Sequence, residues 1–131
     1  MATILLVDDA PECVKPLANI LRRAGHEVET AGNGLEALTS LDAVGPDMVV
    51  TDLTMPVMDG LALLRALGEC PSYRGRLPVV LMTAHAHPDT LAAAHELGAT
   101  AVVVKSDHSA DELLRTISHH TRTCTSAYEC N

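Results

Sequence analysis

The chain predicts a single doubly wound α/β domain, and three observations carry that expectation. Five short apolar, β-rich runs occur at Thr3 to Val7, Glu27 to Thr30, Asp47 to Thr51, Pro78 to Met82 and Thr100 to Val104. The segments after them carry apolar residues at helical spacing, so strand and helix alternate along the whole sequence. The strands read as continuous apolar runs, which suits a parallel sheet covered by helices on both faces, because parallel strands need crossover connections. At 131 residues there is room for one core and not for two.

Each helix has its own signals. The first carries Val14, Leu17 and Leu21 on one stripe and is followed by Gly25, placed for a left-handed C-terminal cap. Pro16 is awkward inside it, so the helix is expected to begin near Cys13, where a proline sits in the first turn among donors that lack partners anyway. The second shows Asn33 with Glu36 as a capping box, then Leu35, Leu38 and Leu41. The third carries Leu61, Leu64 and Leu67. The fourth has Pro88 in its first turn, then Leu91, Ala94 and Leu97, with Gly98 as its cap. The fifth carries Leu113, Leu114 and Ile117. Residues 1–120 form the expected domain, and 121–131 read as a polar, poorly ordered tail.

Apolar residues make up 47% and charged residues 20%, an ordinary globular balance, and the formal net charge is −8. That field repels nucleic-acid phosphates, so direct nucleic-acid binding by this segment is not expected. Cys13, Cys70, Cys124 and Cys130 form no C-x-x-C pair and are read as free thiols, with a Cys124–Cys130 disulfide as the minor alternative. The N-terminal apolar run is too short for a membrane span and lacks the basic flank of a signal peptide. The expected compartment is the reducing cytoplasm, without membrane attachment.

In a doubly wound sheet ligands bind beyond the carboxyl ends of the strands, so polar residues that end apolar runs are the ones to collect. Asp8 and Asp9, Asp52, Thr83 and Lys105 end the first, third, fourth and fifth runs. A lone aspartate after a strand is usually a turn or cap residue, but coincidence at four strand ends is harder to dismiss. Gathered carboxylates repel one another and need compensation by Lys105 and a metal. An oxygen-only donor set favours a hard ion such as Mg²⁺. Carboxylate, ammonium, hydroxyl and metal together suit phosphoryl transfer.

The runs Leu-Leu-Val-Asp-Asp, Val-Val-Thr-Asp-Leu-Thr-Met-Pro-Val-Met-Asp-Gly, Val-Val-Leu-Met-Thr-Ala and Ala-Val-Val-Val-Lys resemble the receiver domain of two-component response regulators over roughly residues 3–119. The Asp52 to Gly60 stretch is its most specific part. The resemblance implies a flavodoxin-like sheet of order 2-1-3-4-5 with five flanking helices. It implies that Asp52 accepts a phosphoryl group from a sensor histidine kinase or phosphotransfer protein. Asp9 would bind Mg²⁺ directly, Asp8 largely through water, with Asp52 and the Thr54 carbonyl completing the metal's protein ligands. Lys105 and Thr83 would meet phosphoryl oxygens, and the Leu53 and Ala84 N–H groups would complete the cradle. Met55, Pro56 and Met58 read as packing and turn residues, Asp59 as the cap of the third helix and Gly60 as its turn. The output would be a change on the face formed by the fourth and fifth helices, read by a downstream protein or by an output domain outside this sequence. Such a domain is a signalling phosphoacceptor, not an enzyme with turnover.

Two positions depart from the family pattern. Ser106 stands where a cis-proline usually follows the lysine; a cis non-prolyl bond costs about 3–4 kcal/mol. Val102 stands where an aromatic residue often reports the phosphorylated state. Both keep alive an interaction module that works without phosphorylation. A small-molecule phosphatase is a third reading. His85-Ala-His87-Pro-Asp89 matches a zinc-hydrolase pattern, but such sites need further ligands and larger folds, and surface or helix-start histidines are the simpler account. His85, two residues beyond Thr83, is expected to influence access to the phosphate. His119 and His120 read as a solvated helix end.

Overall fold

The computed structural model describes residues 2–53, 57–71, 73, 76–84, 87–105 and 110–119. In chain order they form β1 (Thr3–Val7), α1 (Pro11–Arg23), β2 (Glu27–Ala31), α2 (Gly34–Val44), β3 (Met48–Asp52), α3 (Gly60–Glu69), β4 (Val79–Thr83), α4 (Pro88–Glu96), β5 (Ala101–Val104) and α5 (110–119). The five-stranded sheet has order β2-β1-β3-β4-β5, and every pairing is parallel. The doubly wound, flavodoxin-like architecture is therefore as expected, with each strand end within one residue of its expected position.

Alternation along the strands divides the core between two faces. Ile4, Leu6, Met48, Val50, Val80, Met82 and Val103 pack with Ala18 and Leu21 of α1 and Leu113 and Ile117 of α5. Leu5, Val7, Val49, Val79 and Leu81 pack with residues of α2, α3 and α4. The central strands are buried on both faces, which explains their near-continuous apolar sequences.

The caps follow their local chemistry. Asn33 Oδ1 accepts from the Glu36 N–H at 2.9 Å, and Asp59 Oδ1 accepts from the Ala62 N–H at 2.8 Å. Gly25 (φ 98°) and Gly98 (φ 96°) take the left-handed conformation just beyond α1 and α4. Pro88 occupies the first turn of α4. Cys13 and Cys70 are free thiols, and no described helix is long and apolar enough to cross a membrane.

Two expectations are corrected. The first helix begins at Pro11 rather than near Cys13, so Pro16 lies inside it. Pro11 suits the first helical position, and the turn is closed by Cys13 and Val14 N–H groups donating to the Ala10 carbonyl. Glu12 and Pro16 are both exposed, so water can satisfy the carbonyl that the missing Pro16 N–H leaves without a helical donor. Leu35, expected on the inner stripe of the second helix, is 49% exposed, because Gly34, Ala37 and Leu41 form the buried face. The C-terminal tail, with Cys124 and Cys130, lies outside the described residues, as do His120, His85, Met55, Pro56 and the peptide after Lys105.

Candidate functional site

Strand register builds the site. Val7 pairs with Thr51 across β1 and β3, so Asp8 and Asp52 follow side by side. Strand parity continues from Leu6 and Val50 to these two carboxylates and turns both toward the α1–α5 face. A crevice of about 250 Å³ agrees: it is lined by Leu17, Val50 and Met82 together with Asp8, Asp52 and Lys105. On the far strand, the Lys105 N–H donates to the Thr83 carbonyl at 2.7 Å, extending the β4–β5 ladder and fixing where the lysine leaves the sheet.

Lys105 Nζ lies 3.2 Å from Asp52 Oδ1 and 3.7 Å from Asp8 Oδ2. The other Asp8 oxygen accepts from the Ala10 N–H at 3.0 Å, holding that carboxylate in a local turn. Asp8, Asp9 and Asp52 each offer a carboxylate oxygen within 4.8 Å of the others. Asp8 and Asp52 side chains are only 10% and 13% exposed, whereas Asp9 faces solvent. Thr83 is buried at the end of β4 and Ala84 is exposed just beyond it.

The site carries more negative charge than Lys105 neutralises. Burial raises the Asp8 carboxyl above its ordinary range, and neighbouring Asp52 and Asp9 add to the rise against the opposing Ala10 N–H and Lys105. Partial burial by itself would lower the Lys105 ammonium, but Asp52, by charge and hydrogen bond, and then Asp8 outweigh it and raise it. Among the described residues, three clustered carboxylates against one ammonium, with oxygen donors only, fit a hard divalent cation.

Of the site residues expected from sequence, Asp8, Asp52 and Lys105 meet in one crevice, Asp9 joins the two aspartates in the carboxylate cluster, and Thr83 is bonded through its carbonyl to the Lys105 backbone. The Leu53 N–H donates to the Met82 carbonyl at 2.9 Å, so in this structure it extends the β3–β4 ladder. Thr54 lies outside the described residues. His87 caps α4, its Nδ1 accepting from the Asp89 N–H at 3.4 Å, which supports the helix-start reading of that histidine.

Two contributors were missed or understated by sequence reasoning. Gly60 is required by closeness: a Cβ there would lie 2.6 Å from the Asp52 carbonyl oxygen. Gly34 was not singled out at all, although its N–H donates to the Met58 carbonyl at 3.0 Å, joining α2 to the loop after Asp52. The Asn-Gly pair before an apolar helical stripe was the available signal, and it was absorbed into the capping box.

A doubly wound fold with a carboxylate cluster and a lysine at its strand ends is the arrangement of a receiver domain. The chain belongs to the response regulator receiver domain family, whose pattern matches residues 4–118. It is 39% identical over 102 residues to regulatory protein AtoC of Escherichia coli, covering 78% of this chain and 22% of that protein. Chemotaxis protein CheY4 of Vibrio cholerae is similar in structure, with TM-score 0.83, 32% identity, and coverage of 91% of this chain and 98% of that one. The Mn²⁺-bound form of response regulator Rcp1 is similar with TM-score 0.74 and 25% identity, over 88% of this chain and 89% of that one. The chain spans only 15%, 22% and 42% of the length of three curated relatives it matches.

Proposed function

We propose that Asp52 accepts a phosphoryl group from a phosphohistidine on a sensor histidine kinase or phosphotransfer protein, making the domain a switch in two-component signalling. The observation that carries this reading is the Lys105 ammonium, 3.2 Å from Asp52 Oδ1, beside the carboxylate cluster that Asp52 forms with Asp8 and Asp9. An Asp52 carboxylate oxygen forms the new bond to phosphorus, the P–N bond breaks, and its electron pair returns to the departing imidazole. Lys105 pairs with an equatorial phosphoryl oxygen and steadies the charge that the carboxylate gives up. Thr83 supplies a hydroxyl to another oxygen, and the Ala84 N–H a further donor. The Leu53 N–H contributes only by sharing or exchanging its bond to Met82.

The donor set that would hold Mg²⁺ is Asp9, Asp8 through water, Asp52 and the Thr54 carbonyl; bound there, the ion would neutralise charge on the phosphoryl oxygens. The similar response regulator Rcp1 has a Mn²⁺-bound form, which is in keeping with a divalent cation in a protein of this fold. The readout would be the α4–α5 face, with Val102 half-buried where many relatives place an aromatic side chain. A shift of that face needs only differential contacts in the two states. A downstream protein, or an output domain outside this sequence, would read it in the cytoplasm.

Incubation with Mg²⁺ and acetyl phosphate, followed by intact mass measurement, tests the reading. The wild-type chain should gain one phosphoryl group and Asp52→Asn none. Absence of any gain in the folded wild-type protein would sink it.

A further inference from the structure

We infer that the segment from Ala31 to Gly34 is a brace that positions the loop after Asp52, with Gly34 as a positioning residue for cation binding and phosphoryl acceptance. The inference rests on the function proposed for Asp52. At one end of the brace the Asp8 N–H donates to the Ala31 carbonyl at 3.0 Å. At the other end the Gly34 N–H donates to the Met58 carbonyl at 3.0 Å. The segment thus ties the strand that delivers Asp8 and Asp9 to the loop that follows Asp52.

Three features make this connection more than a chance contact. Gly34 opens α2, where a helical N–H has no partner within its own helix, so the donor is available to another segment. No side chain fits at Gly34: a Cβ would lie 2.7 Å from Met58 Cγ and 2.8 Å from the Met58 carbonyl oxygen, and backbone cannot swing aside as a flexible side chain would. The neighbouring Val57 holds φ at 67° while its side chain is 77% exposed. A β-branched residue in that left-handed region is strained, and side-chain burial does not compensate it. The residue that follows it, Met58, is the one held by the Gly34 N–H. The loop base is closed separately by the Gly60 N–H donating to the Leu53 carbonyl at 2.9 Å, and the brace acts on the loop at Met58.

If the brace helps assemble the cation site, linkage requires the cation to strengthen the brace in return. Amide hydrogen exchange on the wild-type chain reads this directly. Saturating Mg²⁺ should slow exchange at Gly34 by about tenfold relative to Gly98, far from the site, which matches the scale on which outer contacts tune metal affinity. Gly34→Ala should weaken Mg²⁺ binding measured by calorimetry by about tenfold and slow acetyl phosphate modification at limiting Mg²⁺, with recovery as Mg²⁺ is raised. A role in folding alone would lower the melting temperature without changing Mg²⁺ affinity of the folded protein. Gly68→Ala, where a Cβ meets nothing within 4 Å, should leave Mg²⁺ affinity unchanged. Equal slowing of Gly34 and Gly98, or wild-type affinity in a folded Gly34→Ala chain, overturns the brace. If Gly34→Ala does not fold, the wild-type exchange comparison decides alone. A wild-type chain that binds Mg²⁺ but takes no phosphoryl group would instead refute the proposed function, leaving the exchange comparison to judge the brace.

Discussion

The Lys105 ammonium stands 3.2 Å from Asp52 Oδ1, a contact made by residues at the ends of β3 and the outer strand β5. It leaves Asp8 with only a share of the same positive charge, since Lys105 lies 3.7 Å from Asp8. The clustered carboxylates and the Lys105 ammonium lead to opposite expectations when either is removed.

Replacing Lys105 with Met keeps much of the aliphatic stem and removes the charge. Acetyl phosphate modification of Asp52 should slow by about a hundredfold, the scale for losing one preorganised electrostatic donor. A time course of intact mass checks this. The lysine is raised in the folded state, so its contribution to stability is complete below the ordinary lysine range and is lost as pH rises through the raised value. Alkaline unfolding of Lys105→Met should lack that component.

Asp8 behaves in the opposite sense to a stabilising carboxylate. Its folded value is raised, so its favourable contribution is present below the ordinary carboxylate range and is lost as pH rises through the raised value. Without divalent cations, Asp8→Asn should therefore unfold at a higher temperature than wild type at neutral pH, with the gain vanishing in acid. Thermal melts across pH in the presence of EDTA measure it.

Mg²⁺ should stabilise the wild-type domain by about 2.7 kcal/mol at one hundred times its dissociation constant. Asp8→Asn and Asp9→Asn should each reduce that gain, which urea unfolding with and without Mg²⁺ would show. Sodium chloride at equal ionic strength should not substitute, because screening cannot replace direct ligation by clustered oxygens.

Gly60→Ala should destabilise the domain by about 1–3 kcal/mol, since the added methyl meets the Asp52 carbonyl at 2.6 Å and neither helix nor strand can yield freely. Gly68→Ala, within α3 and with open space around it, should stabilise by roughly 0.5–1 kcal/mol. Paired urea unfolding curves separate the two glycines.

The alternation of strands and helices was legible because its signals are local: apolar runs, helical spacing, and caps such as Asn33, Gly25 and Gly98. The candidate site was legible to the level of Asp8, Asp9, Asp52 and Lys105, because strand-end residues of a parallel sheet converge whatever the details of packing. Pro16 lies inside the first helix because Pro11 is the better first-turn proline. Leu35 was misjudged because periodicity defines a stripe without saying which side of it the sheet covers.

The sequence alone determined the class of fold, the family and the residues available for chemistry, since these depend on near neighbours and short motifs. Tertiary structure decided that Val7 pairs with Thr51, that Lys105 reaches both Asp52 and Asp8, and that Gly34 holds Met58. These relationships join residues far apart in the chain. Their geometry follows from register and packing summed over the whole sheet and its helices, which no local window contains.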